Sequence, residues 1–435
     1  MYTSTNYLLL LIILLLASCQ EVPTSKFQES TPQKAGFDAQ HLSQIDSLVS
    51  RYMADQRLPG GVFLVARHGK IAYHKSFGYH SLNFWEAYQK DDLFRIASMT
   101  KAVTSVAIMQ LYEKGLLRLD DPLSDYLPAY ATTGVLDSFN PQDSTFTTIP
   151  VERAITIRHL LTHTSGIVYG DFMTGPVRAI YEKLGLHAVG LSHPNWTTEQ
   201  FINTLGKAPL LFQPGSRYNY GLNMDVLGRV VEVASGQTLE NYFNEHIFAP
   251  LNMKDTYFYL PKEKQQRLVP IYSQTDSGTV MLQTDPAVYT LDYPKHRNNR
   301  HFAGGGGLTS SAMDYARFLQ ALLNGGSLNG QRILGHKTIE LMTSDQLAGL
   351  NQERKGYSTT PGKTISLGFG LLTEEATGLD AHSPGTYYWS GYFSTQFFID
   401  PKEDLLFVGM TQVKPFRHGD FYDRLTAIIY GAIED

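Results

Sequence analysis

The chain has 435 residues, of which 43% are hydrophobic, 12% aromatic and 18% charged, the composition of an ordinary globular protein with material for a large core. Its formal net charge of −5 is small for this length, and no block of like charges supplies the basic face that nucleic-acid binding requires. The length suits two or three domains, or one large enzyme fold.

In chain order, the first element is the apolar run Leu8 to Leu16. A helix needs about 20 apolar residues to span a bilayer, so this run is too short and instead has the length of a secretory signal's apolar segment. It ends in Leu16-Ala17-Ser18-Cys19, which resembles the bacterial lipobox, although Met1 to Tyr7 contains no Lys or Arg. Cys19 is the only cysteine of the chain. Acylation accounts for a lone thiol in an exported protein, and no disulfide can form within this chain. Residues 1–18 are thus expected to be a lipoprotein signal peptide, and Cys19 the lipidation site. Residues 19–35, rich in Ser, Thr, Pro and Gln, are expected to be a polar tether to the membrane. This predicts a lipid-anchored location in the cell envelope, on a periplasmic or outer-membrane face.

From Gly36 onward no linker, repeat or low-complexity block interrupts the chain. Phe37, Leu42, Ile45, Leu48 and Tyr52 predict a helix over Gly36–Met53. Gly61–Arg67 and Lys70–Gly78 read as strands joined at His68-Gly69. Ser98–Lys114 reads as a helix with Gly115 after its end. It is apolar nearly all round, which predicts burial at the centre of the fold. The stretch from Leu117 to Arg300 reads mostly as helix and loop, and Ala312–Asn324 as a helix. Ser366–Leu372, Tyr387–Asp400 and Leu405–Gln412 alternate as strands, and Arg417–Ile433 closes as a helix. Strands at both ends with helices between predict an α/β fold. One sheet is built from about residues 36–90 and 301–435, with a helical insertion over about 91–300.

Ser98-Met99-Thr100-Lys101 is the only Ser-x-x-Lys in the chain. On a helix, positions i and i+3 share a face, so hydroxyl and amine meet. At the helix start, the N–H of Ser98 points at a reacting carbonyl oxygen, and the helix dipole favours the negative charge developing there. An amine buried without an acidic partner can accept the hydroxyl proton. The pattern alone is weak, because two fixed letters recur by chance in a long chain. A helix start with a solvated lysine is the alternative, and a buried helix disfavours it.

Phe94-Arg95-Ile96-Ala97-Ser98-Met99-Thr100-Lys101 resembles the first motif of the serine β-lactamase-related superfamily. That group contains class C β-lactamases, D-Ala-D-Ala carboxypeptidases and family VIII esterases. Further segments match in order: Ile155 to Gly166, containing Leu160-Leu161-Thr162-His163-Thr164-Ser165-Gly166; Pro214 to Leu222; Gly304 to Ser310 with Asp314-Tyr315-Ala316; and Ile399-Asp400-Pro401 with Met410-Thr411-Gln412. The match runs from about Gly36 to the C-terminus. It implies a β-lactamase/transpeptidase-like fold, an antiparallel sheet flanked by helices, with Ser98 as nucleophile, Lys101 as its general-base partner and Tyr220 as a second proton shuttle. It also implies an oxyanion held by the N–H groups of Ser98 and Tyr392.

Two departures bear on substrate. After Tyr220 the third motif position is Leu222 rather than Asn, with Asn223 one step later, which weakens the case for an amide-binding β-lactam site. Where β-lactamases carry Lys-Thr-Gly or His-Thr-Gly, whose cation holds a substrate carboxylate, the matching strand reads Trp389-Ser390-Gly391-Tyr392. Trp389 offers an apolar face and one N–H donor, and its competing reading is a core aromatic. The expected function is a serine hydrolase, an esterase on neutral acyl groups of a small ester or amide substrate. The alternatives are a β-lactamase or D-Ala-D-Ala carboxypeptidase, a non-hydrolytic envelope binding protein, or an acyltransferase. His163 is expected to fix a turn rather than act as base. Tyr242-Phe243-Asn244 is expected to be packing, and Gly304–Gly307 a close backbone approach near the active-site floor. The 14 histidines show no metal-ligand spacing, so neither metal nor cofactor is expected.

Overall fold

Alternation along three central strands decides the architecture, because both faces of the sheet are covered. In the computed structural model, residues 27–434 are described apart from 81–85, 187–190, 192–195, 285–288, 296–299 and 351–356. Eight strands form the main sheet: β1 (Gln28–Glu29), β2 (Gly60–Arg67), β3 (Lys70–Gly78), β4 (Lys363–Ile365), β5 (Gly370–Leu372), β6 (Tyr387–Ser390), β7 (Gln396–Asp400) and β8 (Leu405–Met410). Their order is β1-β3-β2-β8-β7-β6-β5-β4. All neighbours are antiparallel except β1, which runs parallel to β3.

Val62, Leu64 and Ala66 of β2 and Leu406, Val408 and Met410 of β8 face the larger core, while Phe63, Val65, Leu405 and Phe407 face a smaller one. Side chains alternate across a strand, so a sheet buried on both faces reads as a continuous apolar run. The smaller core is closed by α1 (Gln44–Ala54), through Ile45, Leu48, Val49 and Tyr52, and by the C-terminal α5 (Asp420–Gly431), through Phe421, Leu425 and Ile429. On the other face lie α2 (Thr100–Glu113), α3 (Asn223–Ser235) and α4 (Ala312–Leu323). Every residue of α2 from Thr100 to Leu111 is buried, so this helix forms the axis of the molecule. Gly115 follows its end with φ 69°, a left-handed cap that glycine adopts without strain.

Four segments differ from the sequence reading. Residues 28–35, expected within the tether, pack on the fold: β1 pairs with Lys70 and Ile71, and Ala35 is fully buried. A two-residue edge strand is held by backbone hydrogen bonds, which leave no side-chain signature. The region of helix and loop also contains the hairpin Val135–Asn140 with Thr145–Ile149. Tyr387–Asp400 is two strands, not one. Gly391 to Thr395 turns between them, with the Gly391 N–H donating to the Thr395 carbonyl at 2.8 Å and Ser394 at φ 64°. Likewise Ser366–Leu372 is not one strand, since Ser366 to Phe369 turns between β4 and β5. Cys19 and the signal segment lie outside the described residues.

Candidate active site

Ser98 stands where an extended segment becomes a helix. Phe94–Arg95 pairs with Thr309–Ser310, and a 3-10 turn, Ala97–Met99, then runs into α2. Ala97 takes φ 43°. A left-handed backbone at a residue with a side chain is a conformation that recurs where a reactive group must be held. Ser98 lies in the first helical turn, and its N–H makes no hydrogen bond among the described residues. Its side chain opens into a cleft of about 740 Å³.

Two donors meet at the Ser98 hydroxyl. Tyr220 donates its phenol hydrogen to Ser98 Oγ at 2.7 Å, and Lys101 Nζ donates to the same oxygen at 3.0 Å. Lys101 is fully buried; its ammonium also reaches Tyr169 OH at 3.1 Å and the Gly305 carbonyl at 2.6 Å. It lies 4.7 Å from the Tyr220 ring centroid and 5.6 Å from that of Tyr169, close enough for the ring quadrupoles to attract the cation.

Tyr220 belongs to the extended segment that leads into α3. A Cβ on Gly221 would fall 2.2 Å from the Ile167 carbonyl oxygen, so glycine is what lets this segment press against residues 167 and 168. The Tyr220 ring is wedged against His163 at 4.7 Å, Tyr169 at 5.4 Å and Trp389 at 5.8 Å. His163, at φ 55°, accepts the Asn219 N–H on its carbonyl at 2.8 Å. Its Nδ1 faces the Asn223 side-chain amide at 2.9 Å. Burial, and then the charge of Lys101, hold its imidazole well below the usual histidine range. It is therefore a neutral buttress for Tyr220. Asn223 also donates to the Ile167 carbonyl at 3.3 Å and accepts Ser165 Oγ at 2.5 Å, so its amide is spent inside the fold. Leu222 is buried. Neither residue presents an amide to the cleft. Tyr242 packs in the core, its ring 4.4 Å from that of His246.

Two residues that sequence reading passed over, Tyr169 and Asp225, and one that it placed at the site floor, Gly305, complete the surroundings of Lys101. Tyr169, which follows the Thr162 to Gly166 segment, has its phenol held well above the usual range by burial and then by Tyr220, so it stays protonated. Gly305 lies in the glycine run that sequence reading placed at the site floor. Its N–H donates to Asp225 Oδ1 at 3.0 Å, while a Cβ there would fall 2.3 Å from Asp225 Oδ2. Asp225, on α3, is fully enclosed, and Oδ2 has no hydrogen-bond partner among the described residues. Burial pushes its carboxyl up to about 6, against the opposing pull of Lys101. The only sequence signal for Asp225 is an acidic residue on an apolar helix face.

At the far wall, β6 ends in Trp389 and the exposed Ser390, and the turn follows with Gly391 and Tyr392. A Cβ on Gly391 would lie 2.4 Å from the Ile96 carbonyl and 2.1 Å from Thr395 Oγ1, so glycine lets this turn close on the backbone just before Ser98. The Tyr392 N–H makes no hydrogen bond among the described residues. From Ser98 the cleft extends along two aromatic arms. In one, Trp389 stacks on Tyr357 at 6.1 Å, which meets Tyr218 at 5.4 Å and Tyr388 OH at 3.3 Å. In the other, Tyr392 meets Phe172 at 6.2 Å and Tyr289 at 6.0 Å, with Phe393 behind. Tyr169 joins the arms, touching both Tyr220 and Phe172.

The family model described as Beta-lactamase matches residues 45–430. Protein Rv1367c of Mycobacterium tuberculosis is 33% identical over 366 residues, covering 82% of this chain and 86% of that protein. Esterase EstB of Burkholderia gladioli is 31% identical over 385 residues, covering 85% and 90%. Among solved structures, EstCE1, described as a hydrolase with promiscuous acyltransferase activity, superposes with a TM-score of 0.77 at 26% identity, covering 90% of this chain and 99% of that one.

Proposed function

Because this chain belongs to the beta-lactamase family of serine hydrolases, we propose that it is an esterase that forms an acyl-enzyme on Ser98. The observation that carries this reading is the pair of hydrogen bonds from Tyr220 and Lys101 to one hydroxyl oxygen. The reacting form has Lys101 as a neutral amine, which takes the Ser98 proton as Oγ attacks the ester carbonyl and passes it on through Tyr220. The N–H groups of Ser98 and Tyr392 hold the oxyanion; donors of this kind are typically worth about 10²–10³ in rate each. Tyr220 returns the proton to the leaving alkoxide, and a water then takes the acyl group by the reverse route. Tyr169 and Gly305 hold the Lys101 amino group in reach of the hydroxyl.

Two observations favour a neutral acyl group. The Trp389 arm is lined by Tyr218, Tyr357 and Tyr388 and carries no charged side chain among the described residues. Asn223, the amide that follows Tyr220, is engaged with Ser165 and His163. We test the reading with p-nitrophenyl butyrate and a fluorophosphonate probe. Release of p-nitrophenol, with probe labelling lost in Ser98→Ala, is expected. Labelling at another residue, or labelling of Ser98 by a fluorescent penicillin with no ester turnover, overturns it in favour of a penicillin-directed enzyme.

Transfer of the acyl group to an alcohol instead of water is a second reading, favoured by the aromatic walls around Ser98 and by the description of EstCE1. Adding a primary alcohol acceptor and following ester formation against hydrolysis separates the two. We further propose that Cys19 carries a lipid anchor that holds the enzyme at the cell envelope. Labelling with an alkyne fatty acid, lost in Cys19→Ala, is the expected result.

A further inference from the structure

Among the described residues, the two arms of the cleft differ in charge. The arm beyond Tyr392 contains an ammonium group, that of Lys414. This lysine follows β8, where the Val413 N–H donates to the Phe393 carbonyl at 3.0 Å and the Lys414 N–H to the Tyr272 carbonyl at 2.8 Å. The first bond ties the chain beside Lys414 to the turn that carries Tyr392, and the second anchors Lys414 on Tyr272. Its Nζ sits 4.4 Å from the Tyr392 ring centroid. It makes no ion pair and no hydrogen bond among the described residues. Lys101, buried behind Ser98, is committed to Ser98, Tyr169 and Gly305. Nearby Arg417 is engaged with Asp276 at 2.7 Å.

We propose that Lys414 forms a carboxylate-binding subsite, so that the preferred substrates are esters whose alcohol part carries one negative charge. This rests on the reading of Ser98 as the acyl acceptor, with the neutral acyl group in the Trp389 arm. A half-buried cation without a counter-charge is costly, and burial here holds the ammonium below the usual lysine range with no carboxylate to offset it. The ammonium lies against the Tyr392 ring, and its partial removal from water strengthens attraction to an arriving anion. A single ammonium matches a monoanion rather than a phosphate dianion. Asp423, exposed on the same rim, disfavours anions that approach from its side and so confines the match to the Tyr392 face.

The test uses the full chain with Ser98→Ala, so that binding is read without turnover. Calorimetry compares 4-(butyryloxy)benzoate with its methyl ester. The carboxylate is expected to bind about tenfold more tightly, as for a partly exposed charge-assisted contact. That preference is expected to vanish in Lys414→Met, persist in Lys414→Arg and shrink with added salt. Equal binding of the two esters, no measurable binding of either, or a preference that survives Lys414→Met overturns the subsite. Release of 4-hydroxybenzoate by the protein with Ser98 intact is measured separately. If binding discriminates between the esters but nothing is released, the acyl-enzyme reading fails and the subsite stands.

Discussion

Lys101 and Asp225 are joined through a single residue: Gly305 accepts the Lys101 ammonium on its carbonyl at 2.6 Å and donates its N–H to Asp225 at 3.0 Å. The catalytic candidate and the buried acid thus share one backbone position, fixed by a glycine that tolerates no side chain toward the carboxylate. The charge of Asp225 and that of Lys101 act on each other across Gly305, while Asp225 makes no contact with Ser98 and meets the cleft lining at the Gly305 N–H.

Asp225→Asn tests this link. The native carboxyl, at about 6, lies above its ordinary value near 3.8. The folded state therefore binds more protons than the unfolded state between those values, and this group's contribution to stability falls as pH rises through that window. Above it, the ionised Asp225 is a burden that Asn lacks. The variant is expected to be more stable at pH 8 by about 1–3 kcal/mol in urea unfolding, and indistinguishable near pH 4. Its kcat/KM profile for p-nitrophenyl butyrate should also lose an inflection near pH 6. A profile identical to that of the parent protein would assign Asp225 to packing alone.

Tyr220→Phe removes the phenol and keeps the ring between His163 and Trp389. The expected loss is about 10²–10⁴ in kcat with little change in melting temperature, the range for one positioned acid–base group. A loss below threefold would mean that Lys101 moves the proton unaided.

Gly391→Ala places a methyl group against the Ile96 carbonyl. The turn must shift away from Ser98 and take the Tyr392 N–H with it. We expect a fall in kcat of about 10²–10³, the size of one lost oxyanion donor. Overpacking should also cost about 1–3 kcal/mol in stability. Full activity would remove Tyr392 from the oxyanion site.

Asn223→Ala removes the side chain that His163 Nδ1 and Ser165 Oγ share, leaving the Ser165 hydroxyl hydrogen without its acceptor, the Ile167 carbonyl without this donor and His163 Nδ1 with the Gly221 N–H at 3.4 Å. Each unsatisfied buried group costs about 1–3 kcal/mol, so a clear drop in the urea midpoint is expected. Activity should fall through displacement of Tyr220, seen as a lower kcat at unchanged KM.

Trp389→Ala opens the neutral arm beside Tyr357. The ratio of kcat/KM for p-nitrophenyl octanoate to that for the acetate should rise several-fold. A single buried CH₂ is worth about 0.8 kcal/mol, so chain-length preference is a sensitive gauge of the room created. An unchanged ratio would place the acyl chain in the other arm.

The misread segments share a cause. β1 and the Gly391–Thr395 turn are fixed by backbone pairing and by close approach to distant carbonyls. Neither leaves a periodic mark in the side chains. Asn223 is informative in the same way. The sequence shows it one place beyond the motif, yet only the packing of Ser165 and His163 shows where its amide goes.

Local periodicity determined a great deal on its own. The helical repeat sets Ser98 and Lys101 one turn apart, and unbroken apolar character marks α2 as the buried axis, because both follow from neighbours three and four residues away. Tertiary structure decided the rest. Tyr220 reaches Ser98 across 122 positions of chain, and Tyr169, Gly305 and Asp225 close around Lys101 from three separate segments. The cation of Lys414 enters the cleft from the end of a strand far along the chain. Such meetings depend on how layers pack, and no short-range pattern of residue types encodes which side chains the packing will bring face to face.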